Sequence, residues 1–341
     1  MSMLNVAVIG CGYWGPNLIR NFNSLSVCNV TKVCDASKDR LAHMKNLYPH
    51  LDTVSDADEV FRDKNVDAVA IATPVNFHYE LAMKSLHAGK HTFIEKPMAS
   101  SVAECKELLA LSLEKELTLM IGHTFIYSPP VRKIKEIVDS GDLGEIQYVS
   151  SRRLNMGLFQ NDINVTWDLA PHDISIILHV LKDTPVSVNC QGKAHFTEGV
   201  EDVCNLTINF SNGGFCTIQS SWLDPNKVRE MTFVGGKKML VYDDLEPIEK
   251  IKIYDKHVEK PPHYDTFADF HYSYHYGDMH SPYLKQFEPL KEECQHFIDC
   301  IQNNCKSMSC GLEGLKVVQI LSAASESLKQ SGSAVSIGDL G

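Results

Sequence analysis

Residues 4–15 read LNVAVIGCGYWG, and the reading of this stretch decides the fold of the first third of the chain. LNVAVIG is apolar and β-branched, as a buried strand is, while PNLIRNFNSL just beyond has helical spacing. Between them Gly10, Gly12 and Gly15 form G-x-G-x-x-G, after a strand and before a helix. Glycine at the first two positions lets the backbone turn tightly and come close to a pyrophosphate. The helix start offers unpaired N–H groups and the positive end of its dipole. Asp35 follows Gly15 by 20 residues, at the end of the next apolar run, NVTKVCD. A carboxylate there accepts hydrogen bonds from a ribose and repels a 2′-phosphate. The expectation is a dinucleotide site that prefers NAD to NADP, with Tyr13 and Trp14 in its turn. Arg40 joins the cofactor candidates, and together with Lys38 it pulls the preference slightly the other way.

Strand and helix signals keep alternating. SKDRLAHMKNLY, with Ser37 as N-cap, precedes the continuous apolar run VDAVAIAT (66–73). NFHYELAMKSLHAGK is helical, with Gly89 at its end, and HTFIEKP (91–97), a helix to about 115, and LTLMIGH (117–123) follow. The pattern predicts a doubly wound parallel sheet over residues 1–123. Ligands bind at the carboxyl ends of such strands. Thr73, Pro74, Asn76 and His78 of ATPVNFH (72–78), and Glu95 and Lys96 of IEKP (94–97), are therefore cofactor candidates. Taken singly, each segment also reads as a plain strand end or a solvated Glu–Lys pair.

From residue 124 the period changes. EIQYVSSRRL, VSVNCQGKAHF, DVCNLTINFS, GFCTIQSSWL, REMTFVGG and KKMLVYDD read as strands, with hairpin signals at Asn212-Gly213-Gly214 and Gly235-Gly236. Residues 124–341 are expected to form an α+β domain on a large, open, mostly antiparallel sheet. Amphipathic helices at 288–302 and 312–330 close the chain and are candidates to pack back on the first domain. Arg152 and Arg153 point to opposite faces of their strand. Arg153 is taken as a bidentate ligand for a substrate phosphate, and Asn155, on its face, as a partner for a sugar hydroxyl; sheet-edge solubility charges are the competing reading. In WDLAPHD (167–173) Asp168 and His172 share a helix face, and Pro171 suits a first helical turn. Such a pair suits a metal, acid–base work, or an ordinary helix entrance.

Composition narrows the classes. Of 341 residues, 44% are hydrophobic and 22% charged, and the net charge is -11, which argues against a nucleic-acid binder. No apolar run approaches the roughly 18 residues of a membrane span, and the N-terminus lacks a basic leader, so the cytoplasm is the expected compartment. The 11 cysteines are scattered without a CxxC pair and read as structural thiols. His271 and His275, four apart in the Pro-punctuated aromatic segment 260–283, do not make a convincing metal pair, and no metal is expected. That segment is read as a loop covering the sugar site or lying in a subunit interface.

In order, GxGxxG, ATP-x-x-x-H, EKP and D-x-x-x-H-D resemble the glucose–fructose oxidoreductase / inositol dehydrogenase (Gfo/Idh/MocA) family over essentially the whole chain. The resemblance implies that Lys96 lies by the nicotinamide ribose and the reacting carbon. It also implies that His172 and Asp168 belong to the catalytic and substrate-binding set. The chain departs from many relatives at Ala170, where they have glycine, at Asp173, one position early, and at His123, where they carry asparagine. His123 is accordingly a substrate candidate, and Trp167 either stacks on the sugar or packs. Family substrates are sugars, polyols and nucleotide-linked sugars. GCGYWG with GHTFIYSP and WDLAPHD most resembles members that oxidise UDP-N-acetylhexosamines at C3. Reduction of a dTDP-linked 3-keto-deoxysugar, oxidation of a free polyol such as myo-inositol, and a non-catalytic NAD(P) sensor are the alternatives. A homo-oligomer, dimer or tetramer, through the second sheet is implied. Lys96 and His172 are expected to share the acid–base work.

Overall fold

A strand apolar at successive positions needs cover on both faces, and Leu4–Ile9 (β1) has it near the centre of a six-stranded sheet. Then come α1 (Gly15–Asn23), β2 (Cys28–Cys34), α2 (Lys38–Leu47), β3 (Asp52–Val54), α3 (Ala57–Arg62), β4 (Ala68–Ile71), α4 (His78–His87), β5 (His91–Glu95), α5 (Val102–Glu114) and β6 (Leu119–Gly122). Every ladder is parallel, in the order β3-β2-β1-β4-β5-β6. The order reverses between β1 and β4, which is where such sheets open a crevice for ligands. Ser37 caps α2 by accepting the Arg40 N–H, and Ser101 caps α5 by accepting the Glu104 N–H. Sequence reading passes over β3 and α3, because three and six residues are too short to establish a period.

The computed structural model describes residues 3–161, 163–259 and 272–338. Beyond β6 lie α6 (Pro129–Asp139), β7 (Ile146–Met156), α7 (Val165–Val180), β8 (Pro185–Lys193), β9 (Val203–Phe210), β10 (Phe215–Ser221), β11 (Leu223–Gly235), β12 (Met239–Asp243), β13 (Ile251–Glu259) and β14 (Ser273–His280). The chain ends with α8 (Pro289–Asn303), α9 (Gly311–Lys329) and β15 (Val335–Ser336). The second sheet has nine strands, in the order β14-β13-β12-β11-β7-β10-β9-β8-β15, antiparallel throughout except for the β7–β10 pair. Its β9–β10 turn is the one Asn212-Gly213-Gly214 signals, with Gly213 at φ +88° and the Asn212 side chain accepting the Gly214 N–H. Part of the segment read as a loop, Ser273–His280, is a strand, and 260–271 lie outside the described residues.

Two compact units result. One is Met1–Ser128 with Phe287–Ser322, the other Pro129–Gln286 with Ala323–Gly341. The division therefore falls later than residue 123, and the first unit is discontinuous. Its core explains why α8 belongs to it. Phe297 meets Phe22 and Phe93 edge-on, at centroid distances of 6.3 and 5.8 Å, among Val6, Val8 and Ile298. Above that cluster Glu288 pairs with Arg20 and accepts a hydrogen bond from Asn21. Truncating Phe297 to alanine is expected to destabilise the first unit by about 3–5 kcal/mol in urea unfolding. A loss below about 1 kcal/mol would mean that the ring is not a core element.

Candidate active site

The glycine turn after β1 has the shape its sequence calls for. Gly10 sits at φ +96°, and a Cβ there would lie 2.5 Å from the Ala72 carbonyl oxygen. A Cβ on Gly15 would run into the Gly10 carbonyl, whereas one on Gly12 would meet only the Arg40 guanidinium, at 3.9 Å. The turn is tight at its ends and open in the middle, which fits a pyrophosphate laid against bare backbone. Asp35, at the end of β2, stitches it in place: Oδ2 accepts the Cys11 N–H at 2.7 Å and Oδ1 the Ser37 N–H at 2.8 Å. Arg40 Nη1 lies 3.6 Å from Oδ2. Tyr13 and Trp14 stand exposed at the turn, edge to face. The structure thus gathers Gly10, Gly12, Tyr13, Trp14, Gly15, Asp35 and Arg40 at one strand end.

The neighbouring strand ends are joined by His78. Its Nδ1 lies 2.9 Å from the Pro97 carbonyl oxygen and its Nε2 2.8 Å from that of Thr73. Two carbonyls favour the imidazolium, but burial outweighs them and holds the ring below the ordinary histidine range. Each ring nitrogen of His78 thus faces a backbone carbonyl, one in the β4 turn and one in the β5 turn, and the buried side chain is not the cofactor ligand expected. Thr73 is half-buried, while Pro74 and Asn76 are exposed on the same turn.

Around half-buried Lys96 the sequence expectation needs two corrections. Glu95 is 6% exposed and does not face a ligand. Burial, partly offset by Lys96, raises its carboxyl to about 7. His123 is 2% exposed, neither ring nitrogen has a hydrogen-bond partner, and burial followed by the Lys96 charge pushes it down to about 3. It is a neutral buried ring, not a side chain presented to substrate. Glu293 of α8, which sequence reading did not single out, completes the group. Fully buried, it accepts the Thr124 hydroxyl at 2.7 Å, and burial first, then the Glu95 charge, raise its pKa. Burial thus shifts both carboxyls toward their protonated forms.

Glu95 therefore binds a proton more tightly in the folded than in the unfolded chain. Its stabilising contribution is complete below about pH 4.5 and is lost as the pH rises to about 7. Glu95→Gln is expected to gain on the native chain across that window, by about 3 kcal/mol at pH 8. Urea unfolding at pH 5 and pH 8 checks this, and a pH-independent difference would remove the assignment.

In the second unit α7 carries the other candidates. Asn164 caps it by accepting the Trp167 N–H at 3.2 Å and donates to Glu201 at 2.8 Å. The helix therefore starts at Val165, and Pro171 lies inside it, not in its first turn. Asp168 and His172 are both half-buried and one turn apart. Asp168 Oδ2 accepts the indole N–H of buried Trp222 at 3.0 Å, which fixes that carboxylate. Trp167 donates its indole N–H to the Ser325 hydroxyl of α9 at 2.8 Å. Trp222 and Ser325 gave no sequence signal, since neither sits in a motif or at a telling spacing.

Arg153 requires a correction too. It is 6% exposed, and its Nε and Nη2 donate to Asp173 at 2.6 and 3.0 Å. The guanidinium fork is matched to a buried carboxylate and is not available to a substrate phosphate. Asn155, two residues on, is half-buried, and Arg152 is exposed. Arg153→Ala leaves Asp173 buried without its partner, an expected loss of about 3–5 kcal/mol. The Arg153→Met/Asp173→Leu double variant should lose less than the single one, which a double-mutant cycle in thermal unfolding reads directly.

Comparison with known proteins agrees with this geometry. Residues 4–123 match the model of an oxidoreductase family with an NAD-binding Rossmann fold, and 131–241 match the GFO/IDH/MocA C-terminal domain. An uncharacterized oxidoreductase of Bacillus subtilis, YrbE, is 25% identical over 333 residues, covering 94% of this chain and 93% of that one. The UDP-N-acetylglucosamine 3-dehydrogenase of Acidithiobacillus ferrooxidans is 26% identical over 237 residues, 68% of this chain and 71% of its own. A solved structure of UDP-N-acetylglucosamine 3-dehydrogenase GnnA from that organism superposes with a TM-score of 0.81 at 22% identity, covering 97% of this chain and 99% of that one, a likeness of fold.

Proposed function

The chain belongs to the Gfo/Idh/MocA oxidoreductase family, and on that premise we propose that it oxidises C3 of a UDP-N-acetylhexosamine with NAD+. The observation that carries the reading is Lys96 itself, half-buried at the carboxyl end of β5 directly after a sealed carboxyl group. In its deprotonated form a lysine amine can take a hydroxyl proton, the role assigned to Lys96. NAD+ held at the glycine turn would supply the hydride acceptor. Hydride and proton leave together, and the product is a 3-ketone.

The other roles follow from the residues' surroundings. Asp168, fixed by Trp222, holds its carboxylate as an acceptor for a sugar hydroxyl. His172, half-buried one turn along α7, is the second group assigned to the proton transfer. Asp35 favours NAD over NADP, because a 2′-phosphate would bring negative charge beside a buried carboxylate already engaged by two N–H groups. Arg40, 3.6 Å away, softens that preference without reversing it. The likeness to UDP-N-acetylglucosamine 3-dehydrogenase supports the nucleotide sugar as substrate class.

Incubation with NAD+ and UDP-N-acetylglucosamine, with an aminotransferase present to trap the ketone, should generate NADH absorbance. Lys96→Ala should lower kcat by about 10²–10⁴-fold, while NAD+ affinity stays within a few-fold. Turnover unaffected by that change would remove Lys96 from the chemistry. If no NADH forms from UDP-N-acetylhexosamines, while NADH is consumed by a dTDP-linked 3-keto sugar or formed from myo-inositol, the corresponding alternative takes the place of this substrate assignment.

A further inference from the structure

The edge of the nine-stranded sheet carries a cluster that the proposed reaction does not use. β14 is its outermost strand, and the ladder with β13 sets His275 directly opposite His257. The two imidazoles stack with centroids 4.6 Å apart and 29° between their planes. Asp255, two residues before His257 and so on the same face of β13, reaches His275: its Oδ2 lies 3.0 Å from His275 Nε2. A side chain at position 277 would occupy the place of that carboxylate, and Gly277 leaves it free. One ligating atom from each of Asp255, His257 and His275 lies within 4.8 Å of the other two.

We propose that Asp255, His257 and His275 form a binding site for a divalent transition-metal ion, with zinc as the expected occupant. Two imidazoles and one carboxylate are the donor set that zinc favours, whereas magnesium and calcium call for oxygen cages. The surrounding shell is of the matching kind. Glu259 lies 3.0 Å from His257 Nε2, the orienting carboxylate that metal-bound histidines usually carry. With Nε2–H donated to Glu259, the lone pair rests on Nδ1, which is buried without a hydrogen-bond partner. Lys238, whose charge acts on Asp255, donates to Asp142 at 2.7 Å, so it already has a carboxylate partner. The sequence pairs His275 with His271, which lies outside the described residues. The fold pairs it instead with side chains 18 and 20 positions upstream, which only a hairpin register brings together. A bound ion would pin β14 to β13 across the edge pair and leave a coordination position for water.

The test uses the full chain, freed of any histidine tag and stripped with chelator. Titration calorimetry with zinc chloride should show one saturable site and magnesium none, and zinc should raise the melting temperature. His257→Ala and His275→Ala should each abolish that rise, and Glu259→Gln should weaken zinc binding by about 10–100-fold. His50→Ala, an exposed histidine of the first unit, should behave as the native chain does. Zinc affinity unchanged in both histidine variants, or no saturable binding by the native chain, overturns the proposal. Cobalt(II) added to the native chain gives a reading that needs no variant. Intense visible bands of a four- or five-coordinate ion support the site, and the pale spectrum of the hexaaquo ion overturns it.

Discussion

In a parallel sheet every strand ends on the same side, and there the backbone runs out of ladder partners. The turns that must meet a ligand are the turns that lack regular hydrogen bonds. This chain resolves the conflict with side chains. Asp35 takes the N–H groups of Cys11 and Ser37, and His78 spans the carbonyls of Thr73 and Pro97. The glycine turn, the β4 turn and the Lys96 turn are thereby held by two residues that sequence reading had assigned to the cofactor. Each Asp35 carboxylate oxygen can still accept a further hydrogen bond. His78 has no nitrogen to spare.

The same economy of polar groups governs the second unit. Asp168 is held by an indole, Asp173 by a guanidinium, and Asn164 binds both the helix start and Glu201. Where burial dominates, as at Glu95, Glu293 and His123, it shifts the groups toward their neutral forms. Lys96 adjoins this cluster: its charge opposes the rise at Glu95 and deepens the fall at His123.

What the sequence made legible is what has a short period. GCGYWG, Asp35 and the alternation of apolar runs with capped helices define the first sheet, because each signal lies within one strand–turn–helix unit. Hairpin glycines mark the second sheet for the same reason. Contacts distant along the chain were out of reach. Alternation places Arg153 and Asn155 on one face of β7, yet nothing local says that Asp173 waits there. Helical spacing in 288–302 reveals a buried face but not the Phe22–Phe93 surface that receives it. Pro171 looked like a helix start because proline favours the first turn, while the cap that sets the start is Asn164, seven residues earlier.

The discontinuity of the first unit bears on how the chain is made. A ribosome releases the six-stranded sheet first, with Phe22 and Phe93 facing a gap, and supplies Phe297 only after β7 to β14 have emerged. At common translation rates of about 5–20 residues per second, that delay is on the order of 10–40 s. During it the nascent chain presents an apolar surface to solvent or to whatever binds it. Recovery of native protein should thus depend on holdase chaperones and on elongation speed more than the folded state's own stability would suggest.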